Sequence, residues 1–252
     1  LCLSLIWRPC STPPGNSSVA SDVIKRQILP TDSSSQIYLD ANATTPVLPC
    51  IAEVVSHTMQ ICFGNPSSSH ITGIQAKHLL EQTRQKARDV IGAQQGDILF
   101  TSGATEGIQT AVVSTLIAAK DHAKPNPVLL YGATEHKAVP NTLIHWNAVL
   151  GINATVLAIP VSSDGLLDLD FIAQHAGDAL MICTMSVNNE TGVYQDLKAI
   201  EKVIRAHNTE VAWMVDLIQA LGKTALPLSD TTIDYAPYSG HTLYAPNGIG
   251  VV

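Results

Sequence analysis

Charged and aromatic side chains are both scarce in this sequence, at 14% and 5%. Basic residues are the scarcer sign: Lys and Arg number 14 against 21 Asp and Glu, a net charge of −7. A nucleic-acid partner needs a basic face to neutralise phosphates, so none is expected. No C-x-x-C pair occurs, and the five cysteines cannot all pair with one another. A reduced compartment with mostly buried thiols is the simpler reading. Without an H-E-x-x-H or a cysteine cluster, the nine histidines give no zinc site. A G-x-S-x-G elbow, a Walker-type loop and a G-x-G-x-x-G turn are also missing. No apolar run approaches the ~20 residues of a membrane span. The longest, residues 143–161, is broken by His145, Asn147, Gly151 and Asn153, so no membrane partner is expected. No internal repeat is present.

What remains is aliphatic. Apolar residues make up 46% of the 252, enough for a large core that needs no disulfide staples. Residues 1–35 stand apart. Ser and Pro are frequent there, alternation is missing, and up to residue 30 Arg8, Lys25 and Arg26 face the single acid Asp22. They are expected to be a leader or a disordered tail with a weak similarity to an organellar transit segment, for a cytoplasmic or mitochondrial protein. Residues 36–252 are expected to form the main domain. Ala76, Leu79, Leu80, Thr83, Ala87, Val90 and Ile91 recur at helical spacing and predict a helix with one apolar face ending at Gly92. A short strand is predicted over 97–101 and a helix from about Thr105 to Lys120. Apolar strands are predicted over 127–131, 155–159, 179–185, 211–216 and, last, 233–238. Leu197, Ile200, Val203 and Ile204 mark another amphipathic helix. Apolar strands alternating with helices predict an α/β fold, a mainly parallel sheet sandwiched by helices.

In such sheets ligands gather where strands end, so polar residues there carry the information. Thr101-Ser102-Gly103-Ala104-Thr105-Glu106 ends a strand, turns on glycine and opens a helix. Exposed N–H groups and the helix dipole attract an anion there, typically phosphate; a plain N-cap by Ser102 or Thr105 would use the same residues. Asp216 ends the strand 211–216, where a carboxylate can hold a heterocyclic nitrogen protonated or cap a helix. Gln219, three residues on, shares that pocket or faces water. His136, in Thr134-Glu135-His136, is an imidazole that can stack on a planar ligand, move protons, or lie on the surface. Asn188-Asn189-Glu190-Thr191-Gly192 reads as a turn or as amide donors for a carboxylate or phenolate. Ser239-Gly240-His241-Thr242 offers a hydroxyl and an imidazole for a phosphate cup. The loop Pro246-Asn247-Gly248-Ile249-Gly250 lets backbone approach closely.

These segments, in this order, with Ile37-Tyr38-Leu39-Asp40-Ala41-Asn42-Ala43-Thr44-Thr45-Pro46 and Gly64-Asn65-Pro66-Ser67-Ser68-Ser69-His70, resemble the cysteine desulfurase and selenocysteine lyase group of the class V aminotransferases. The resemblance covers residues 37–252. It implies the large domain of a fold-type I pyridoxal-phosphate transferase, with the C-terminal small domain absent. It also implies roles. Thr105, Ser239 and His241, with the backbone N–H of Ala104, would hold the phosphate of pyridoxal 5'-phosphate. His136 would stack on the ring and serve catalysis. Asp216 would pair with the ring nitrogen, Gln219 with the phenolate oxygen, and Asn189 with that oxygen or the substrate carboxylate. L-cysteine would give alanine and a protein persulfide, with iron–sulfur cluster assembly as a use for the sulfur. A homodimer and a sulfur-acceptor or scaffold protein would be the protein partners.

The sequence departs from that pattern. The family's Ser-x-His-Lys carries its Schiff-base lysine where Thr242 stands here, and a hydroxyl forms no imine. Ala245 stands for a glycine, Asn247 for a basic residue, and Leu217 and Ile218 for small residues, so bulk beside Asp216 is expected to crowd the ring. The loop with the sulfur-accepting cysteine and a carboxylate-binding arginine would lie beyond Val252. Cys183, inside an apolar strand, is expected to serve packing. The expected function is therefore a cysteine desulfurase-type protein in fragmentary or degenerate form. A catalytically inactive dimerisation partner and a selenocysteine lyase are the alternatives.

Overall fold

The computed structural model describes residues 37–252 apart from residues 94, 121–123 and 225–227; the expectation of a leader or disordered tail over residues 1–35 lies outside the described residues. Among the described residues the α-helices are, in chain order, α1 (Pro49–Ile61), α2 (Ile71–Ile91), α3 (Ala104–Ala119), α4 (Ala138–Leu150), α5 (Leu169–His175) and α6 (Leu197–His207). The strands are β1 (Phe100–Thr101), β2 (Val128–Gly132), β3 (Thr155–Ile159), β4 (Ala179–Met185), β5 (Ala212–Asp216), β6 (Tyr238–Ser239) and β7 (Gly250–Val251). Strands β2 to β5 form a parallel sheet in the order β3-β2-β4-β5.

Alternation along these strands decides which helix covers which face. Leu129, Met181, Cys183 and Met214 point one way and are buried by Ile108, Ala111, Val112 and Leu116 of α3 and by Val139 and Leu143 of α4. Leu130, Ile182, Trp213 and Val215 point the other way, against Ile172 of α5 and Ile200 and Ile204 of α6. Both faces are covered, which is why β4 reads as an almost unbroken apolar run. Helices α5 and α6 start where Asp168 and Asp196 accept the N–H of Phe171 and Ala199, each at 3.0 Å. Among the described residues no helix is long and apolar enough to cross a membrane.

The predicted α/β sandwich is the observed architecture, and several element assignments need correction. The last strand is not 233–238. That segment runs parallel beside β5, with Val215 N–H donating to Tyr235 O (2.9 Å) and Leu217 N–H to Pro237 O (3.2 Å). Pro237 has no N–H to give to that ladder, and the strand that follows, Tyr238–Ser239, pairs instead with β7. Strands β1, β7 and β6 then form a second, antiparallel sheet in that order. The strand predicted over 97–101 shrinks to Phe100–Thr101, although Leu99 and Val252 still exchange N–H···O bonds of 2.9 and 3.0 Å. Helix α2 ends at Gly92, in the left-handed conformation (φ 71°), as the glycine led one to expect. Its apolar stripe is only partly used: Ala76 and Ile91 are buried, whereas Leu79 and Val90 are exposed. Helical spacing identifies a stripe but not its partner.

Trp213 is the largest fully buried side chain, and its Nε1–H donates to Thr184 Oγ1 at 3.0 Å. Trp213→Ala removes that volume and leaves Thr184 unpaired. A loss of about 3–5 kcal/mol is expected from urea unfolding of the two proteins.

Candidate active site

Three parallel strands end side by side at Gly132, Met185 and Asp216. The loops that leave them carry His136, Asn189 and Gln219, and the start of α3 and the single turn Gly240–Thr242 face the same space. Together they enclose a cavity of about 590 Å³. Ala104, Thr105, His136, Asn189, Asp216, Gln219, Ser239, His241 and Thr242, the residues singled out from the sequence, all line it. A slightly larger hollow of about 640 Å³ is lined by none of them. The smaller one is the candidate site, because polar groups from separate strand ends converge there.

One end of the cavity is built for an anion. Gly103 precedes α3 and no side chain caps the helix, so the expected cap by Ser102 or Thr105 does not form. The first bond inside the helix runs from Gly107 N–H to Gly103 O, which leaves the N–H groups of Ala104 and Thr105 without helical partners. Glu106 turns back instead: its Oε2 accepts the Ser102 N–H at 2.6 Å, and Ser102 holds this carboxyl below the usual range. Gly250 makes the close approach possible, since a Cβ there would come within 2.6 Å of Gly103 Cα. Ser239 is buried beside this helix start. The His241 Nδ1 is buried without a hydrogen-bond partner. Its backbone is fixed by Thr45, whose N–H and hydroxyl both donate to His241 O at 2.8 Å. Thr242 is 2% exposed and its hydroxyl donates to Ser239 O at 2.9 Å, so it closes its own turn.

The other end is acidic and dry. Asp216 is 4% exposed, and its Oδ1 accepts the Ile218 N–H at 2.9 Å. Burial raises its carboxyl to about 6, with the Ile218 bond pulling the other way. Of the bulky residues after it, Leu217 turns into the core and Ile218 lines the cavity. His136 Nδ1 accepts the Ala138 N–H at 3.2 Å, which orients the imidazole at the start of α4. Gln219 is engaged on both sides: its Nε2 donates to Asn42 O (3.0 Å) and its Oε1 accepts from Lys223 Nζ (2.6 Å). Partial burial lowers the Lys223 ammonium. Asn188 serves the fold, with Nδ2 on Thr134 O and Oδ1 taking the Glu190 and Thr191 N–H groups, and so presents Asn189 to the cavity. Asn42, whose Nδ2 donates to Asn189 O at 3.2 Å, and Met185 also line the site. Asn42 lay within a quoted motif, yet its partners, far off in sequence, gave it no legible role. Among the described residues no group of His, Cys, Asp and Glu is arranged to hold a metal ion.

The raised Asp216 carboxyl sets a pH dependence. Moving from 3.8 in the unfolded chain to about 6 when folded, it weakens the ligand-free fold by about 3 kcal/mol once ionised. The stability it allows is complete below pH 3.8 and is lost as pH rises through 6. Asp216→Asn keeps the acceptor for Ile218 and is therefore expected to stabilise the ligand-free protein at pH 7 but not at pH 4, as measured by thermal unfolding at both pH values.

Comparison with known proteins places this geometry. The family model for class-V aminotransferases matches residues 37–252. The cysteine desulfurase IscS of Escherichia coli K12 is 39% identical over 220 residues, covering 86% of this chain and 52% of that relative. The chain thus spans about half the length of the curated relatives it matches. Among solved structures, a NifS-like protein superposes with a TM-score of 0.78 at 31% identity, covering 86% of this chain and 58% of that one. The DndA of Streptomyces lividans gives 0.69 at 33%, covering 85% and 58%. SspA, solved in complex with cysteine, gives 0.75 at 28%, covering 86% and 60%. With the family model matched over residues 37–252 and the same fold in these relatives, the chain belongs to the class-V aminotransferase family, whose cofactor is pyridoxal phosphate.

Proposed function

We propose that this chain is the cofactor-binding part of a cysteine desulfurase-type protein and holds pyridoxal phosphate without a covalent link. The observation that carries it is Asp216: a buried carboxylate at the end of β5 whose bonded partner is a backbone N–H, in a cavity whose far wall is an uncapped helix start. A buried carboxylate is costly until a cation joins it, and a protonated ring nitrogen is such a cation. The unpartnered His241 Nδ1 and the free N–H groups of Ala104 and Thr105 suit the phosphate at the other end. The residues present therefore fit the cofactor at both of its polar ends.

Pyridoxal phosphate supplies, when bound, a ring that withdraws electrons from the α-carbon of an amino acid. Asp216 keeps the proton on the ring nitrogen. Ala104, Thr105, Ser239 and His241 hold the phosphate, and His136 covers the ring. Gln219, braced by Asn42 and Lys223, faces the ring oxygen, and Asn189 meets that oxygen or a substrate carboxylate. L-cysteine is the proposed substrate, supported by the desulfurase relatives and by the cysteine in the SspA complex. A homodimer and a sulfur-accepting protein belong to the same proposal. Thr242 favours a second reading, an inactive partner that keeps the cofactor site without the chemistry. Its hydroxyl is tied to Ser239 O, and no amine stands in its place.

The purified chain is expected to bind pyridoxal phosphate reversibly, so that dialysis removes it and borohydride does not fix it. Asp216→Ala is expected to weaken binding about tenfold or more. Thr242→Lys is expected to make the cofactor fixable by borohydride. Failure of the unaltered chain to bind pyridoxal phosphate overturns the proposal, and brisk alanine formation from L-cysteine overturns its claim of non-covalent, feeble chemistry.

A further inference from the structure

A lysine stands behind the glutamine assigned to the ring oxygen. In the turn after β5, the N–H groups of Leu221 and Thr224 donate to Leu217 O and Ala220 O, four residues back, at 3.0 and 2.9 Å. This helical spacing brings the side chains of Gln219 and Lys223, also four apart, together. Gly222 precedes the lysine in the left-handed conformation (φ 72°), where a Cβ would come within 2.8 Å of Leu243 Cδ2. The turn is thereby held close to the segment that follows Thr242. Gln219 is 9% exposed and lines the cavity. Lys223 is exposed and is not among the lining residues.

An amide side chain has an acceptor end and a donor end, and a half turn about its last bond exchanges them. Here both neighbours are one-way groups. The Lys223 ammonium only donates, and it meets Gln219 Oε1 at 2.6 Å. The Asn42 carbonyl only accepts, and it takes the Gln219 Nε2–H at 3.0 Å. Exchanging the two ends would set N–H against an ammonium and oxygen against oxygen, so the orientation is locked. Asn42 is itself fixed, since its Nδ2 donates to Asn189 O at 3.2 Å. One N–H of Nε2 is thus taken, one is left over, and the oxygen is engaged by the cation. The group Gln219 has to spare for a ligand is therefore a donor. The ammonium on the oxygen also draws electrons from the amide, which makes the remaining N–H a stronger donor.

We propose that Lys223 is a positioning residue for Gln219: it locks the amide with an N–H to spare for the cavity, and so selects a ligand that carries an oxygen acceptor at that place. This rests on the reading of Gln219 as the partner of the cofactor's ring oxygen. Lys223 does not touch the ligand. Its charge reaches the ring oxygen through the polarised amide and favours that oxygen as an anion over a hydroxyl or a bare C–H edge. The other half of the lock is the backbone carbonyl of Asn42, which no side-chain substitution removes. Lys223 is the half that substitution reaches.

The test compares the affinity for pyridoxal phosphate with that for its ring-deoxy analogue, in which hydrogen replaces the ring oxygen. Both are titrated into the unaltered chain, Lys223→Met and Lys223→Arg. Methionine keeps a long side chain without the donors, and arginine keeps a donor-only cation. The unaltered chain is expected to prefer pyridoxal phosphate. Lys223→Met is expected to reduce that preference about tenfold, by weakening pyridoxal phosphate and leaving the analogue unchanged. Lys223→Arg is expected to retain most of it. Equal weakening of both ligands marks a merely structural lysine and overturns this inference alone, as does a preference that is absent or that Lys223→Met leaves unchanged. Failure of the unaltered chain to bind either ligand overturns it together with the proposed function. Should Lys223→Met not fold, the side-chain amide protons of Gln219 in the ¹⁵N-labelled unaltered chain decide. One of them is expected to move downfield with pyridoxal phosphate and not with the analogue, and equal shifts with both overturn the inference.

Discussion

A single carboxylate held in an apolar place organises this molecule. Asp216 is fixed by β5, which is fixed by its ladder to β4, and both strands are fixed by helices on two faces. The sheet therefore delivers a charge to a spot where water is scarce, and the charge is unfavourable there without a counter-ion. The cost is tolerable because the surrounding core is large, and it is useful because it creates affinity for a cation. The uncapped start of α3 offers the opposite sign across the cavity. A ligand that is cationic at one end and anionic at the other satisfies both.

Much of the fold was legible because alternation and apolar runs report burial directly. The strands 155–159 and 179–185 have the predicted limits, and α3 begins one residue early. Helix α1 has no buried residue, so no core stripe marks it. Helix α4 is rich in apolar residues all round, with Pro140 inside its first turn, and such a run does not distinguish helix from strand. The antiparallel β1-β7-β6 sheet escaped notice because two-residue strands have no period to detect.

The site was legible in its membership and less so in its wiring. Residues at strand ends are found from the strand pattern, which is why Asp216, His136 and Asn189 could be named together. Gln219 was assigned to a ring oxygen, yet its amide already bridges Asn42, which is 177 residues away in sequence, and Lys223. Glu135 was visible only as part of a motif. Its Oε2 is buried without a hydrogen-bond partner, and a Cβ at Gly132 would come within 3.1 Å of its Oε1. Thr242 lines the cavity, and its hydroxyl bonds inward to Ser239 O.

The central claim is that Asp216 meets a protonated ring nitrogen. Nuclear magnetic resonance of pyridoxal phosphate labelled with ¹⁵N in the ring, bound to the chain, tests it most directly. The account expects a protonated ring nitrogen in the complex with the unaltered chain, at a pH where the free cofactor is deprotonated, and a deprotonated one with Asp216→Asn. A ring nitrogen of the same protonation state in both complexes would contradict it.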